Sequence, residues 1–276
     1  MLTRQCWWIT GASSGIGEGI ARGAAAQGAR LILSGRNMAE LERVAGECGG
    51  TANCLILPFD TRDFAAVPAL VEHAISWAGR IDCLANNAGI SQRSLAADTD
   101  FSVYEAIIAV DLLAPIALTQ AILPHMIAKG GGRLIAISSV AGIIGAPMRS
   151  AYSAAKHGIF GYFDSVRTET AHLGIMVHVV APGSVKTNVS RNALLADGSR
   201  RGESDAAIEA GMSVEDAASA IMAAVANGTR ELILAEGQEA QLVQLRRANP
   251  DALFDVLAKS VQAGYAAKMT AGEKAL

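Results

Sequence analysis

Cysteine is scarce in this sequence and has no metal-binding spacing. The four cysteines, Cys6, Cys48, Cys54 and Cys83, form no Cys-x-x-Cys step. A disulfide framework and a zinc ribbon are therefore not expected, and the thiols read as reduced packing residues of a cytoplasmic protein. The five histidines lack ligand spacing as well, so no metal is expected. His157 follows Lys156 but falls on another helix face and reads as structural. No block of Lys and Arg occurs, and the formal net charge is −3. That removes the electrostatic footprint of a nucleic-acid binder. No run of about 18 apolar residues stands out, so no membrane-crossing helix is expected, and no secretory signal precedes the first strand-like run. Internal repeats and low-complexity linkers are absent too.

What the chain does have is apolar content in alternating patterns. Hydrophobic residues make up 51% of its 276 positions, enough for a buried sheet. Strand-like runs lie at 5–10, 30–35, 53–58, 81–86, 132–138, 175–181 and 230–235. Helical patterns lie near 15–28, 38–48, 63–79, 102–129, 150–173 and 213–227. Apolar strands alternating with helices imply a parallel sheet covered on both faces, doubly wound by right-handed crossovers. One α/β domain over 1–276 is expected.

Two stretches carry chemistry. Ser139 ends the apolar run Leu134–Ile137, at the carboxyl end of a central strand, where open α/β sheets bind ligands. Tyr152 and Lys156 follow four residues apart, so a helix starting near Ser150 puts them one turn apart on one face. An ammonium beside a phenol favours the phenolate and suits the phenol to acid–base work. Nearer the N-terminus, Gly11-Ala-Ser13-Ser14-Gly15-Ile16-Gly17 joins a strand to a helix. Glycines there permit a tight turn and close approach of a pyrophosphate, and the helix N-terminus favours the anion. The spacing is not Gly-x-Gly-x-x-Gly, and no Gly-Lys-Ser/Thr follows.

Thr10–Gly17, Asn86-Asn87-Ala88-Gly89, Ser139, Tyr152-x-x-x-Lys156 and Pro182-Gly183 occur together in this order. In these motifs, over roughly residues 5–235, the chain resembles the short-chain dehydrogenase/reductase family. The resemblance implies a Rossmann-type fold with Ser139, Tyr152 and Lys156 as the catalytic set. It places the nicotinamide cofactor against the glycine turn, Asn87, Ala88, Gly89, Pro182, Gly183, Val185 and Thr187, with Tyr152 and Lys156 reaching it too. It gives Asp60 the adenine amino group, although Asp60 alone fits a helix cap equally. After the second strand an acid would bind a ribose 2′-hydroxyl, and a nearby arginine a 2′-phosphate. Gly35 and Arg36 stand there, which points to NADP(H); the alternative is a strand-end arginine at the surface. The implied activity interconverts a ketone or aldehyde and an alcohol. A non-catalytic NADP(H)-binding regulator is the other class.

Three features depart from the family or extend it. Asp111 stands where the family usually has an asparagine that holds a water linking the active-site lysine to solvent. Either the carboxylate holds that water, or a backbone carbonyl does. Residues 188–212 are polar and weakly periodic, and read as a lid over the substrate or a disordered insertion. Residues 238–276 form a helical extension broken at Asn249-Pro250; it packs on its own core or on a second subunit, or touches a membrane. Substrate-lining residues are expected in Ser91–Ala97, Ile143–Met148 and Val189–Met212. The resemblance also implies a homodimer through helices 102–129 and 150–173.

Overall fold

The structure, a computed structural model, describes residues 4–270; 271–276 of the expected extension lie outside the described residues. Seven strands form one parallel sheet in the order β3-β2-β1-β4-β5-β6-β7. They are β1 Cys6–Thr10, β2 Arg30–Ser34, β3 Cys54–Ile56, β4 Cys83–Asn86, β5 Gly132–Ile137, β6 Ile175–Pro182 and β7 Glu231–Leu234. The strand order reverses between β1 and β4, which creates a crevice at their carboxyl ends. β1 is buried throughout, as a strand covered on both faces must be.

Alternation within β1 divides the core. Trp7 and Ile9 face α1 (Gly15–Ala26), α2 (Met38–Glu47) and α8 (Val214–Ala226). Trp8 faces the other layer, α3 (Val67–Ala78), α5 (Ala114–Ala128) and α6 (Ser150–Thr170). Its indole N–H donates to Ser34 Oγ at 2.9 Å, so the buried polar edge is satisfied. The four cysteines are free and buried, and burial pushes every thiol up from its ordinary value.

The stretch expected as one long helix has a fault in it. α4 (Phe101–Ile108) passes into a π turn at Ala109–Leu113 and then into α5. Pro115 lacks the N–H that an α-helix would aim at the Asp111 carbonyl, which favours the irregular turn there. An apolar run of the length sought in the sequence does occur on this helix. Phe101–Ala128 is 28 residues long and holds an 18-residue window of mean hydropathy 2.1, of which 44% is buried in the fold. The apolarity has a use within the protein: Val103 and Ile107 pack against α6, and Leu118, Ile122 and Met126 against the sheet.

Beyond β7 the chain folds as α9 (Gly237–Ala248), α10 (Pro250–Gln262) and α11 (Tyr265–Thr270). The expected break falls at Asn249, whose side chain accepts from Ala252 N at 3.1 Å and caps α10, with Pro250 next. Leu242, Val243, Leu253 and Leu257 pack with Val140 and Ile144. Of the uses open to the extension, covering its own core is the one observed.

Candidate active site

The crevice widens into a single cleft of about 1320 Å³. Every residue expected from the sequence to be catalytic or to bind the cofactor lines it, except Gly17. Gly17 stands behind the turn, where a Cβ would collide with the Gly11 carbonyl; it lets α1 lie close against the sheet. Gly11 has φ +64° and backs directly onto Ala88 and Asn87, so this turn accepts no side chain there. Ser14 precedes α1 without capping it through its side chain. The first-turn N–H groups of α1 therefore remain as donors at the cleft wall. Thr10 ties the two motif loops together: its hydroxyl accepts from Asn87 N at 3.0 Å and Ala88 N at 3.1 Å. Asn87 Nδ2 donates back to the Thr10 carbonyl at 3.0 Å.

At one end of the cleft lies Arg36, exposed and without a hydrogen-bond partner among the described residues. A Cβ at Gly35 would come within 3.3 Å of Ser13 Oγ, so a longer side chain in the acid's usual place would crowd the turn. Asp60 is engaged by Arg62 at 2.7 Å, which holds its carboxyl down to about 2.

At the other end, α6 carries the reactive pair. Lys156 is buried; its Nζ donates to the Ile137 carbonyl at 3.0 Å and lies 3.1 Å from Asp111 Oδ2 and 5.6 Å from the Tyr152 ring centroid. Burial by itself would lower the lysine, but the Asp111 carboxylate and Tyr152 outweigh it and hold Lys156 above its ordinary value. Burial pushes the Asp111 carboxyl up, against the pull of the lysine. Asp111 Oδ1 accepts from Ile90 N at 2.8 Å. A Cβ at Gly89 would come within 2.9 Å of Asp111 Oδ2, so only glycine fits beside the pair. Ser139 accepts from Ala141 N at 3.1 Å, which turns its hydroxyl to the end of β5.

The short chain dehydrogenase family model matches residues 5–197. The chain belongs to the short-chain dehydrogenase/reductase family. It is accordingly an oxidoreductase that works with a nicotinamide cofactor. It is 36% identical over 255 residues to dehydrogenase/reductase SDR family member 7B of Mus musculus, covering 91% of this chain and 79% of that one. It is 41% identical over 199 residues to family member 7 of Homo sapiens, covering 70% and 59%. A short-chain dehydrogenase/reductase from Burkholderia phymatum, solved in complex with NAD, superposes with TM-score 0.81 at 20% identity over 91% of this chain and 95% of that one. A short-chain dehydrogenase from Streptomyces avermitilis gives 0.79 at 26% identity over 94% and 98%.

Away from the glycine turn, the cleft of this short-chain dehydrogenase/reductase has a lining that differs from the expected one. Of the three expected segments only the third contributes, through residues such as Val189, Asn192, Leu194, Arg200 and Ile208. α4 adds Val103 and Ala106 to the lining, with Val103 packed beside Leu194. Ser91–Ala97 is withdrawn because Gln92 and Arg93 are spent on internal bonds, and Ile143 and Ile144 pack beneath the C-terminal helices.

Residues 188–212 run through a series of turns into the short helix α7 (Ala206–Glu209). Asp205 is buried among three guanidiniums. Arg93 donates to it at 2.9 and 2.5 Å, Arg149 at 3.4 Å, and Arg201 also donates. Burial pushes Arg93 down to about 10, so it remains cationic at neutral pH. This cluster joins the segment to the loop after β4 and to the residue preceding α6. No local spacing announces it, since Arg93 and Asp205 are 112 residues apart.

Proposed function

We propose that the protein is an NADP(H)-dependent oxidoreductase interconverting a ketone or aldehyde and the corresponding alcohol. The observation that carries this reading is the placement of Tyr152 and Lys156 on one turn of α6, with Ser139 at the end of β5, all opening onto the cleft that contains the glycine turn. The cleft fits the cofactor: glycine backs the turn where a Cβ would collide, and uncapped α1 donors face it. The α1 N-terminus with Ser13 and Ser14 would hold the pyrophosphate, and Arg36 a 2′-phosphate. Asn87–Gly89 and Lys156 would hold the nicotinamide ribose, and Val185 and Thr187 the carboxamide. When bound, the nicotinamide supplies or accepts the hydride.

In reduction, Ser139 and Tyr152 hydrogen-bond the substrate oxygen and Tyr152 gives it a proton. In oxidation, Tyr152 takes the hydroxyl proton. The Lys156 ammonium stabilises the negative charge that appears on the phenol oxygen. Asp111, at the inner end of the lysine, holds the water through which the proton is replaced. Residues 188–212 act as the lid.

A panel of carbonyls and alcohols followed by NADPH absorbance tests the reading and separates it from a non-catalytic regulator. Tyr152→Phe keeps the ring and removes the proton, a term usually worth about 10²–10⁴-fold. Retention of more than about a tenth of wild-type turnover would refute the assignment. The same reading includes a homodimer through α4–α5 and α6, whose outer surface bears Phe101, 75% exposed, and Leu113, 43% exposed. An isologous pairing would cover both. Light scattering that gives a mass of one chain or of four would overturn it.

A further inference from the structure

The C-terminal extension reaches the turn after β6 through one carboxylate. Glu239 lies in the first turn of α9. An acid there ordinarily folds back on its own helix end or simply faces the helix dipole. Glu239 reaches across instead to the turn after β6. Its Oε2 accepts from Ser184 N at 2.8 Å and its Oε1 accepts from Ser184 Oγ at 2.9 Å. The neighbouring Gly183 leaves room for it, since a Cβ at 183 would collide with Oε2. Gly183 N is in turn bonded to the Leu234 carbonyl at 2.7 Å. The turn Pro182–Val185 is thereby held from two sides, by β7 and by α9.

The same helix bears on the second catalytic loop. Leu242 and Val243 pack against Val140 and Ile144, in the segment that leaves Ser139. One rigid element thus spans the loop carrying Ser139 and the turn carrying Gly183 and Val185. Both line the cleft, whereas Glu239 does not.

We propose that Glu239 is a positioning residue, and that α9 sets the distance between the turn facing the nicotinamide and the loop carrying Ser139. This rests on the cofactor placement proposed above. A carboxylate suits the task because both of its bonds are acceptor bonds and both are charge-assisted. Glutamine keeps the shape, and can accept from Ser184 N while its amide N–H₂ donates to Ser184 Oγ, but neither bond is then charge-assisted.

Glu239→Gln tests the proposal in the full-length protein. Without cofactor, amide exchange over 182–187 should accelerate. The NADPH dissociation constant, read by fluorescence titration, should rise about tenfold, the scale of one charge-assisted bond. kcat should fall while the melting temperature stays near wild type. Ser184→Ala, which loses only the hydroxyl bond, should show a smaller effect. The double variant should be no worse than Glu239→Gln alone, because both changes act on one contact. If Glu239→Gln does not fold, Ser184→Ala decides by the same exchange and binding measurements. Unchanged exchange and binding in a folded variant would overturn the proposal, as would additive losses in the double variant. A wild-type protein that binds neither NADPH nor NADH would overturn the cofactor placement, and the positioning role with it.

Discussion

Replacing Asp205 with asparagine removes the only carboxylate that Arg93, Arg149 and Arg201 bond among the described residues, and leaves the volume almost unchanged. The side chains of Arg93 and Arg201 are 4% and 6% exposed, and that of Arg149 is 23% exposed. The first two pairs are dry, and removing one partner of a buried pair costs about 3–5 kcal/mol because the other charge is left uncompensated. The Arg149 pair is wetter and longer, worth about 0–1 kcal/mol. These bonds tie one segment to its neighbours, so the loss is expected as local opening of 188–212. Roughly 3–5 kcal/mol raises the open fraction by about two to three and a half orders of magnitude. Amide exchange over 188–212 is the assay, with the substrate KM as its functional counterpart. Acid gives a second reading. Burial alone would raise the Asp205 carboxyl, but the bonds from Arg93 and Arg201 hold it below its ordinary 3.8. A depressed carboxyl stabilises fully above the unfolded value and loses that contribution as pH falls through the folded one. The wild-type segment should therefore loosen only below about pH 3.8, whereas the Asn variant is already loose at pH 7. A folded variant with unaltered exchange in 188–212 at neutral pH would refute the reasoning.

Arg36→Ala should weaken NADPH about 10- to 150-fold, the value of one charge-assisted bond, and leave NADH nearly unchanged; equal losses with both would show that the guanidinium does not meet the phosphate. Asp111→Asn should keep activity within about tenfold and move the whole pH profile down. The carboxylate that holds Lys156 up is then gone, so the lysine drops and presses its charge more strongly on Tyr152. A profile that stays in place, measured as kcat against pH, would mean that the pair does not govern the titration.

The sheet and its motif loops were legible because each is announced locally. Buried runs such as Cys6–Thr10 and Leu134–Ile137 admit one reading, and turns such as Gly11–Gly17 and Asn249-Pro250 carry their own backbone chemistry. The cleft followed, since strand ends in a parallel sheet converge. What escaped was set by side chains meeting over long sequence distance. Glu239 looks like any helix-start acid until Ser184 is found against it, 55 residues away. Arg93 sits in a segment that reads as pocket wall, and its burial against Asp205 turns that segment away from the substrate. Val103 and Ala106 lay in a helix read as a dimer face, with no local signal that it also lines the cleft.

The π turn at Ala109–Leu113 bears on that last point. At about 100° per residue, an unbroken α-helix would leave Val103 and Met126 roughly 140° apart around its axis. The Ala114 N–H reaches back five residues to the Ala109 carbonyl, so the turn absorbs one extra residue, about 100° of rotation, and leaves the two about 40° apart. The inserted residue thus acts as a phase corrector. It lets α4 present Val103 and Ala106 to the cleft while α5 keeps Leu118, Ile122 and Met126 on the sheet, and it seats Asp111 at the joint. The substrate wall can therefore change its composition along α4 without rotating the core behind it, whereas a single deletion between 109 and 113 would force the cleft and the sheet to compete for one helical register.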